Sequence, residues 1–181
     1  LGGTSGHLMG AAIATILLGP WAAIIVMTSV VSIQALIFQD GGLLALGANI
    51  FNMAIIGAAV SYFPHPSLQK VFGKQKWGLF VSGFVTAWLS IFIASLAAAL
   101  ELSASGTSPA NISVPAMGGI HALIGIGEGL ITVGALAFIY AARRDLVQTS
   151  QPAPAGKLVW AIGLGIALLL AVFSPLASAH P

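Results

Sequence analysis

Residues 77–102 read WGLFVSGFVTAWLSIFIASLAAALEL, an apolar run whose one charge, Glu101, comes next to last. A hydrocarbon core of about 30 Å is crossed by about 20 apolar residues in a helix, so Trp77 to Leu102 is expected to span a bilayer. Working outward, the same test is met by Trp21 to Phe38, which the turn residues Gln39-Asp40-Gly41-Gly42 close. It is met again by Leu43 to Phe63, closed by Pro64-His65-Pro66. Two more runs qualify: Met117 to Ala142, closed by Arg143-Arg144-Asp145, and Leu158 to Ala177, closed near Pro175. Ser103 to Pro115 reads as a loop rich in Ser, Pro and Asn. A shorter run, Leu8 to Leu18, lies between Gly6 and Gly19-Pro20 and is long enough only for a half-spanning helix or the tail of a longer one. The expected fold is an all-α polytopic transmembrane bundle with five full spans and one partial span. Its domain plan is a membrane domain over 1–177 and the start of an extracytoplasmic tail over 178–181.

Composition excludes the alternatives. The 181 residues carry six Lys+Arg and four Asp+Glu, 6% charged, where a soluble domain carries about 25%. Apolar residues make up 58%, and so few charges could not cover a soluble surface. Six scattered basic residues do not make a nucleic-acid footprint, and the apolar content excludes disorder. Without cysteine there is no disulfide framework and no thiolate metal site. There is no phosphate-cradling G-x-x-x-x-G-K-[ST], no H-E-x-x-H and no G-x-S-x-G. An enzyme is therefore not expected, nor ATP hydrolysis by this chain. No signal peptide is apparent; the start at Leu1 reads as a truncation, a processed end or the first ordered residue of a longer protein, and the chain stops abruptly at Pro181 after an apolar run.

Basic residues set the expected orientation. Lys70, Lys74 and Lys76 share one connection, and Arg143, Arg144 and Lys157 flank another, whereas 39–42 and 103–115 have no Lys or Arg. The two sets alternate along the chain, so the positive-inside rule places the basic ones in the cytoplasm. His7, Asn49, Asn52, Glu101 and His121 then gather in the outer half, with Glu128 two turns deeper than His121. Ionisable groups in a membrane are costly and usually face an interior site, so an outward-facing polar pocket is expected.

Each of these residues also has a plainer reading. His121 also reads as a packed histidine bonded to a carbonyl. Glu128 also reads as a partner of His121 or a cap on a kink at Gly125 or Gly127, and Asn49 and Asn52 as hydrogen bonds that join helices. His65 between prolines reads as solvated, and Met9, Met27, Met53 and Met117 as packing. Gly6, Gly10 and Ala14 are spaced by four, as are Gly125 and Gly129, a pattern that lets membrane helices approach closely. Two histidines without cysteine favour a borderline transition metal over a soft one.

Several motifs are specific in combination. Gly2-Gly3-Thr4-Ser5-Gly6-His7 with Leu17-Leu18-Gly19-Pro20-Trp21, Gln34-Ala35-Leu36 with Asp40-Gly41-Gly42, Leu46-Gly47-Ala48-Asn49-Ile50-Phe51-Asn52-Met53, and His121-Ala122-Leu123-Ile124-Gly125-Ile126-Gly127-Glu128 together resemble the CbiM/NikM family from Gly2 to about Arg144. The resemblance implies the substrate-capturing membrane component of an energy-coupling-factor (ECF) importer for cobalt or nickel, tied to cobalamin biosynthesis in its cobalt members. It implies six or seven spans in the intact protein. The implied partners are a second transmembrane coupling subunit, two cytoplasmic ATPase subunits and a small accessory membrane subunit, in the inner (plasma) membrane. It implies no prosthetic group, the metal being cargo. In the family an amino-terminal Met-His segment holds the metal together with the histidine of G-G-T-x-x-H, which His7 matches.

The reading from sequence is thus a Ni²⁺ or Co²⁺ capture subunit with His7 as the metal ligand. Thr4, Ser5, Asn49, Asn52, His121 and Glu128 are pocket or supporting residues, and Gly6, Gly10 and Ala14 a packing or partner face. Two other classes remain open. One is a proton-coupled secondary transporter using His121 and Glu128, for which inverted repeats would be expected and none is found in the sequence. The other is a structural subunit of a membrane complex.

Overall fold

In the computed structural model the described residues are 7–73 and 75–148. They form helices α1 (Ala11–Leu18), α2 (Pro20–Ile37) and α3 (Leu46–Asn49), a π-helical segment (Ile50–Ile56), and helices α4 (Gly57–Tyr62), α5 (Pro64–Phe72), α6 (Lys76–Ala104), α7 (Ala110–Ala142) and α8 (Arg144–Gln148). Among the described residues, four helical runs are long and apolar enough to cross a membrane: Pro20–Ile37, Leu46–Phe72, Lys76–Ala104 and Ala110–Ala142. The expected run Leu158 to Ala177, Lys74, Lys157 and the boundary at 177 lie outside the described residues.

Glycine punctuates the amino-terminal half. Gly10, at φ 76°, turns the chain into α1. Gly19, at φ 81° and ψ 165°, ends α1, and Pro20 opens α2 at once, since its ring already holds a helical φ and the missing N–H would be unpaired in the first turn. The short run is therefore an eight-residue helix, about 12 Å long, which packs with Met27 of α2 and Ala54 of the π segment through Ala11.

Two sequence expectations are corrected. Pro64-His65-Pro66 does not stop the third run: Phe63 keeps helical dihedrals, and α5 follows directly to Phe72. Proline removes a donor but its φ suits a helix, so the chain loses hydrogen bonds without reversing. The reversal comes at Gly73, φ 89°. A Cβ at Gly78 would lie 1.7 Å from the Gly73 carbonyl oxygen, so the turn into α6 requires glycine there. The loop expected over 103–115 shrinks to 105–109, because α7 begins at Ala110 and carries Pro115 inside it. Its polar start is absorbed by the neighbouring helix, where buried Ser113 Oγ donates to the Ala99 carbonyl at 3.1 Å.

α6 and α7 form an antiparallel hairpin with close contacts along its length. Their glycines receive large side chains: Gly129 meets the Phe84 ring, Gly125 meets Trp88 and Ile91, Gly118 meets Leu96, and Gly83 meets Leu136. Trp88 stacks on Phe92 at 4.9 Å and donates from Nε1 to the Ala122 carbonyl at 2.9 Å. The close approach expected of Gly125 and Gly129 is therefore present. Phe80 on Tyr140 marks the other end of the hairpin, which brings Lys76 and Arg143 to one side of the bundle. Large apolar side chains such as Ile25, Leu36, Phe63, Leu123, Leu130 and Phe138 point outward, a surface suited to lipid.

Candidate metal-capture site

The site starts from the first amides of α1. Helix amino termini carry N–H groups without intrahelical partners. Here a carboxylate from another helix takes two of the amides at the entrance to α1. Glu128 of α7, 4% exposed, accepts from the Met9 N–H at 2.9 Å and from the Gly10 N–H at 2.7 Å. Two bonds to one carboxyl group tie the segment carrying His7 to the middle of α7. Gly10 can enter this arrangement because its φ of 76° is open to glycine and strained for other residues.

His7 sits half-buried two residues before this tether, with Nε2 3.2 Å from Met53 Sδ. Met53 belongs to the π segment, where Asn52, Met53 and Ala54 are all buried in succession. An α-helix turns successive side chains by about 100°. The wider π turn rotates them less and directs neighbours to one side, and such turns recur at functional sites. Asn52 thereby reaches Glu101 of α6, its Nδ2 donating to Oε2 at 2.7 Å. From the turn side inward the polar groups run Glu101, Asn52, Met53, His7 and Glu128.

The remaining candidates fall elsewhere. His121 is buried, and its Nδ1–H donates to the Met117 carbonyl at 2.8 Å within its own helix. This is the packed reading, and it leaves the lone pair on Nε2. The expected partnership of Glu128 with His121 or with a kink in α7 is replaced by its bonds to Met9 and Gly10. Asn49 Nδ2 approaches the Gly41 carbonyl at a long 3.4 Å, bracing the 39–45 turn. Thr4, Ser5 and Gly6 lie outside the described residues. Gly10 precedes α1 as its cap, and its carbonyl accepts from the Ala14 N–H at 3.2 Å; Ala14 is half-buried. His65 is half-buried beside Thr86 Oγ1, not solvated.

Sequence reading missed the Met53 contact and the role of Glu101. The signals for the second were its place as the sole charge in residues 77–102 and its position at the outer end of that run. Among the described residues no three His, Cys, Asp or Glu side chains converge as a metal cluster. What they offer at His7 is an imidazole beside a thioether.

Comparison with known proteins gives this geometry a family. Residues 1–146 match the profile of CbiM, the cobalt uptake substrate-specific transmembrane region. The chain belongs to the CbiM family. Over 177 residues it is 41% identical to a protein of Archaeoglobus fulgidus named for nickel transport as a fused NikMN, covering 97% of this chain and 56% of that one. Over 152 residues it is 35% identical to the cobalt transport protein CbiM of Sorangium cellulosum, covering 82% of this chain and 67% of that one. A crystal structure of a transition metal transporter superposes with a TM-score of 0.69 at 33% identity, over 86% of this chain and 74% of that chain. This CbiM-family chain thus spans little more than half of its Archaeoglobus relative, and it shares the transporters' helical fold.

Proposed function

We propose that this chain is the substrate-specific membrane component of an ECF-type importer that captures Ni²⁺ or Co²⁺ on the outer side of the cell's plasma membrane. The supporting observation is that His7 is held by the Glu128 tether into a polar column within a CbiM-family bundle. His7 supplies a neutral imidazole. Amine and amide nitrogens from an amino-terminal segment of the full-length protein complete the nitrogen-rich set that Ni(II) accepts. Ligands must be deprotonated to bind, so metal capture is coupled to proton release.

Energy comes from partners: a coupling membrane subunit and two ATPases, with a small accessory membrane subunit in some assemblies. Ala14 and the neighbouring outer surface of α1 are the first candidates for the face that meets them. Lys70, Lys76, Arg143 and Arg144 face the cytoplasm under the positive-inside rule.

Vesicles test this reading. Full-length protein with its partner subunits should concentrate nickel or cobalt in an ATP-dependent way, and the full-length protein alone should not. Uptake by the lone protein on a proton gradient would overturn the reading and favour a secondary transporter. Orientation is checked by cysteines placed at Ser67 and Ser105, which should label from the cytoplasmic and outer sides respectively. The reverse pattern would invert the topology.

A further inference from the structure

The Asn52–Glu101 pair is left incomplete by the bonds it makes. Asn52 is 5% exposed, and while its Nδ2 is used by Glu101, its Oδ1 has no hydrogen-bond partner among the described residues. A buried polar atom without a partner is uncommon and asks for an explanation. Glu101 offers further acceptor capacity, since an ionised carboxylate has about four lone-pair sites and Asn52 supplies one donor. Two oxygen acceptors, one of them a carboxyl group that a nearby cation would hold ionised, face the same need: a cationic group rich in donors.

Position narrows the occupant. Glu101 lies three residues before the end of α6, next to the 105–109 turn, where the chain has no Lys or Arg. Asn52 adjoins Met53, whose Sδ touches His7. The pair therefore stands between the turn end of the bundle and His7. A divalent cation arrives with water ligands, which are polarised donors, and oxygen ligands suit hard or hydrated divalent ions whereas imidazole suits nickel and cobalt. We propose that Asn52 Oδ1 and the Glu101 carboxylate form a vestibule site. It holds a hydrated divalent cation through its water shell before the cation passes to His7. The identity of the cargo rests on the metal-capture reading; occupation by a divalent ion does not.

The test uses full-length protein and Mn²⁺, an oxygen-preferring ion followed by its electron paramagnetic resonance. In His7→Ala a weak Mn²⁺ site should persist, and adding Glu101→Gln should weaken it about tenfold or more, the scale on which outer-shell partners act. Adding Asn52→Asp, which keeps an oxygen at the orphan position and adds charge, should retain or tighten it. In the otherwise native protein, Glu101→Gln and Asn52→Leu should slow Ni²⁺ association about tenfold in stopped flow. Unchanged Mn²⁺ binding in Glu101→Gln, loss of it in folded Asn52→Asp, or unchanged association rates would overturn the vestibule. Nickel binding untouched by His7→Ala would instead defeat the metal-capture reading while leaving the Mn²⁺ result to judge the vestibule alone.

Discussion

The α6/α7 hairpin and the column from Glu101 to Glu128 hold the same bundle together by different means. The hairpin is joined by shape: rings and branched side chains seat on Gly83, Gly118, Gly125 and Gly129, repeated along two long helices. The column is joined by a few directed bonds between residues far apart in sequence, such as Gly10 to Glu128 and Asn52 to Glu101. Repetition makes the first tolerant, because one lost contact leaves the others in place. The second has few members, each with a distinct partner, so one deletion removes a function without dismantling the fold. Small residues between membrane helices contribute by close van der Waals packing, while buried polar networks are costly when only partly satisfied.

The largest expected effect breaks the column at its centre. His7→Ala in the full-length protein should abolish high-affinity nickel and cobalt binding while leaving the helical circular dichroism unchanged. Titration by calorimetry checks this, and near-native affinity would remove His7 from the site. Glu128→Gln should come next. It offers one acceptor oxygen for two amides and turns an N–H₂ toward one of them, so metal affinity should fall about 10–100-fold. The readout is metal affinity set beside thermal unfolding. A drop in melting temperature with unaltered affinity would make Glu128 a packing residue only.

Gly129→Leu sharpens the contrast from the other side. Its Cβ would lie 2.6 Å from the Phe84 ring, and overpacking typically costs about 1–3 kcal/mol. Unfolding in detergent should show that loss, while metal affinity per folded molecule stays near native. A selective loss of binding would mean that the hairpin and the column are coupled.

The smallest effect belongs to the exposed pair beyond α7. Arg143 donates to Asp145 from Nε at 3.0 Å and from Nη2 at 2.8 Å, and these bonds hold the Asp145 carboxyl below the usual carboxylate range. A lowered folded pKa contributes stability above the ordinary carboxylate pKa and loses it as pH falls through the lowered value. Both side chains are more than half exposed, where such pairs are screened and weak. Asp145→Asn should therefore leave the melting temperature unchanged between about pH 4 and 7. A measurable drop would give this corner a structural role.

Much of the hairpin was legible in the sequence because its cause is local. Apolar length implied spans at Trp77 and Met117, and glycines four apart announced close approach at Gly125 and Gly129. Boundaries were less legible. Pro64 and Pro66 signal a stop in an isolated chain, yet the helix runs through them. Residues 103–115 looked polar enough for a loop, yet Ser113 finds an acceptor on α6. The column was legible only as a set of candidates. Residue type marked His7, Asn52 and Glu128, but nothing local gave Glu128 the amides of Met9 and Gly10 over a sequence separation of more than a hundred residues.

The sequence by itself determined an apolar helical membrane protein, its alternation of basic and non-basic connections, and the motifs that place it in the CbiM family. Those follow from composition and spacing, which the solvent reads one segment at a time. Only the tertiary structure decided which polar groups meet. It turned Met53 onto His7 and Asn52 onto Glu101 through one π-helical turn, and it bound Glu128 to the start of α1. A hydrogen bond depends on a few tenths of an ångström and on direction, and in this bundle both are set by how helices distant in sequence pack.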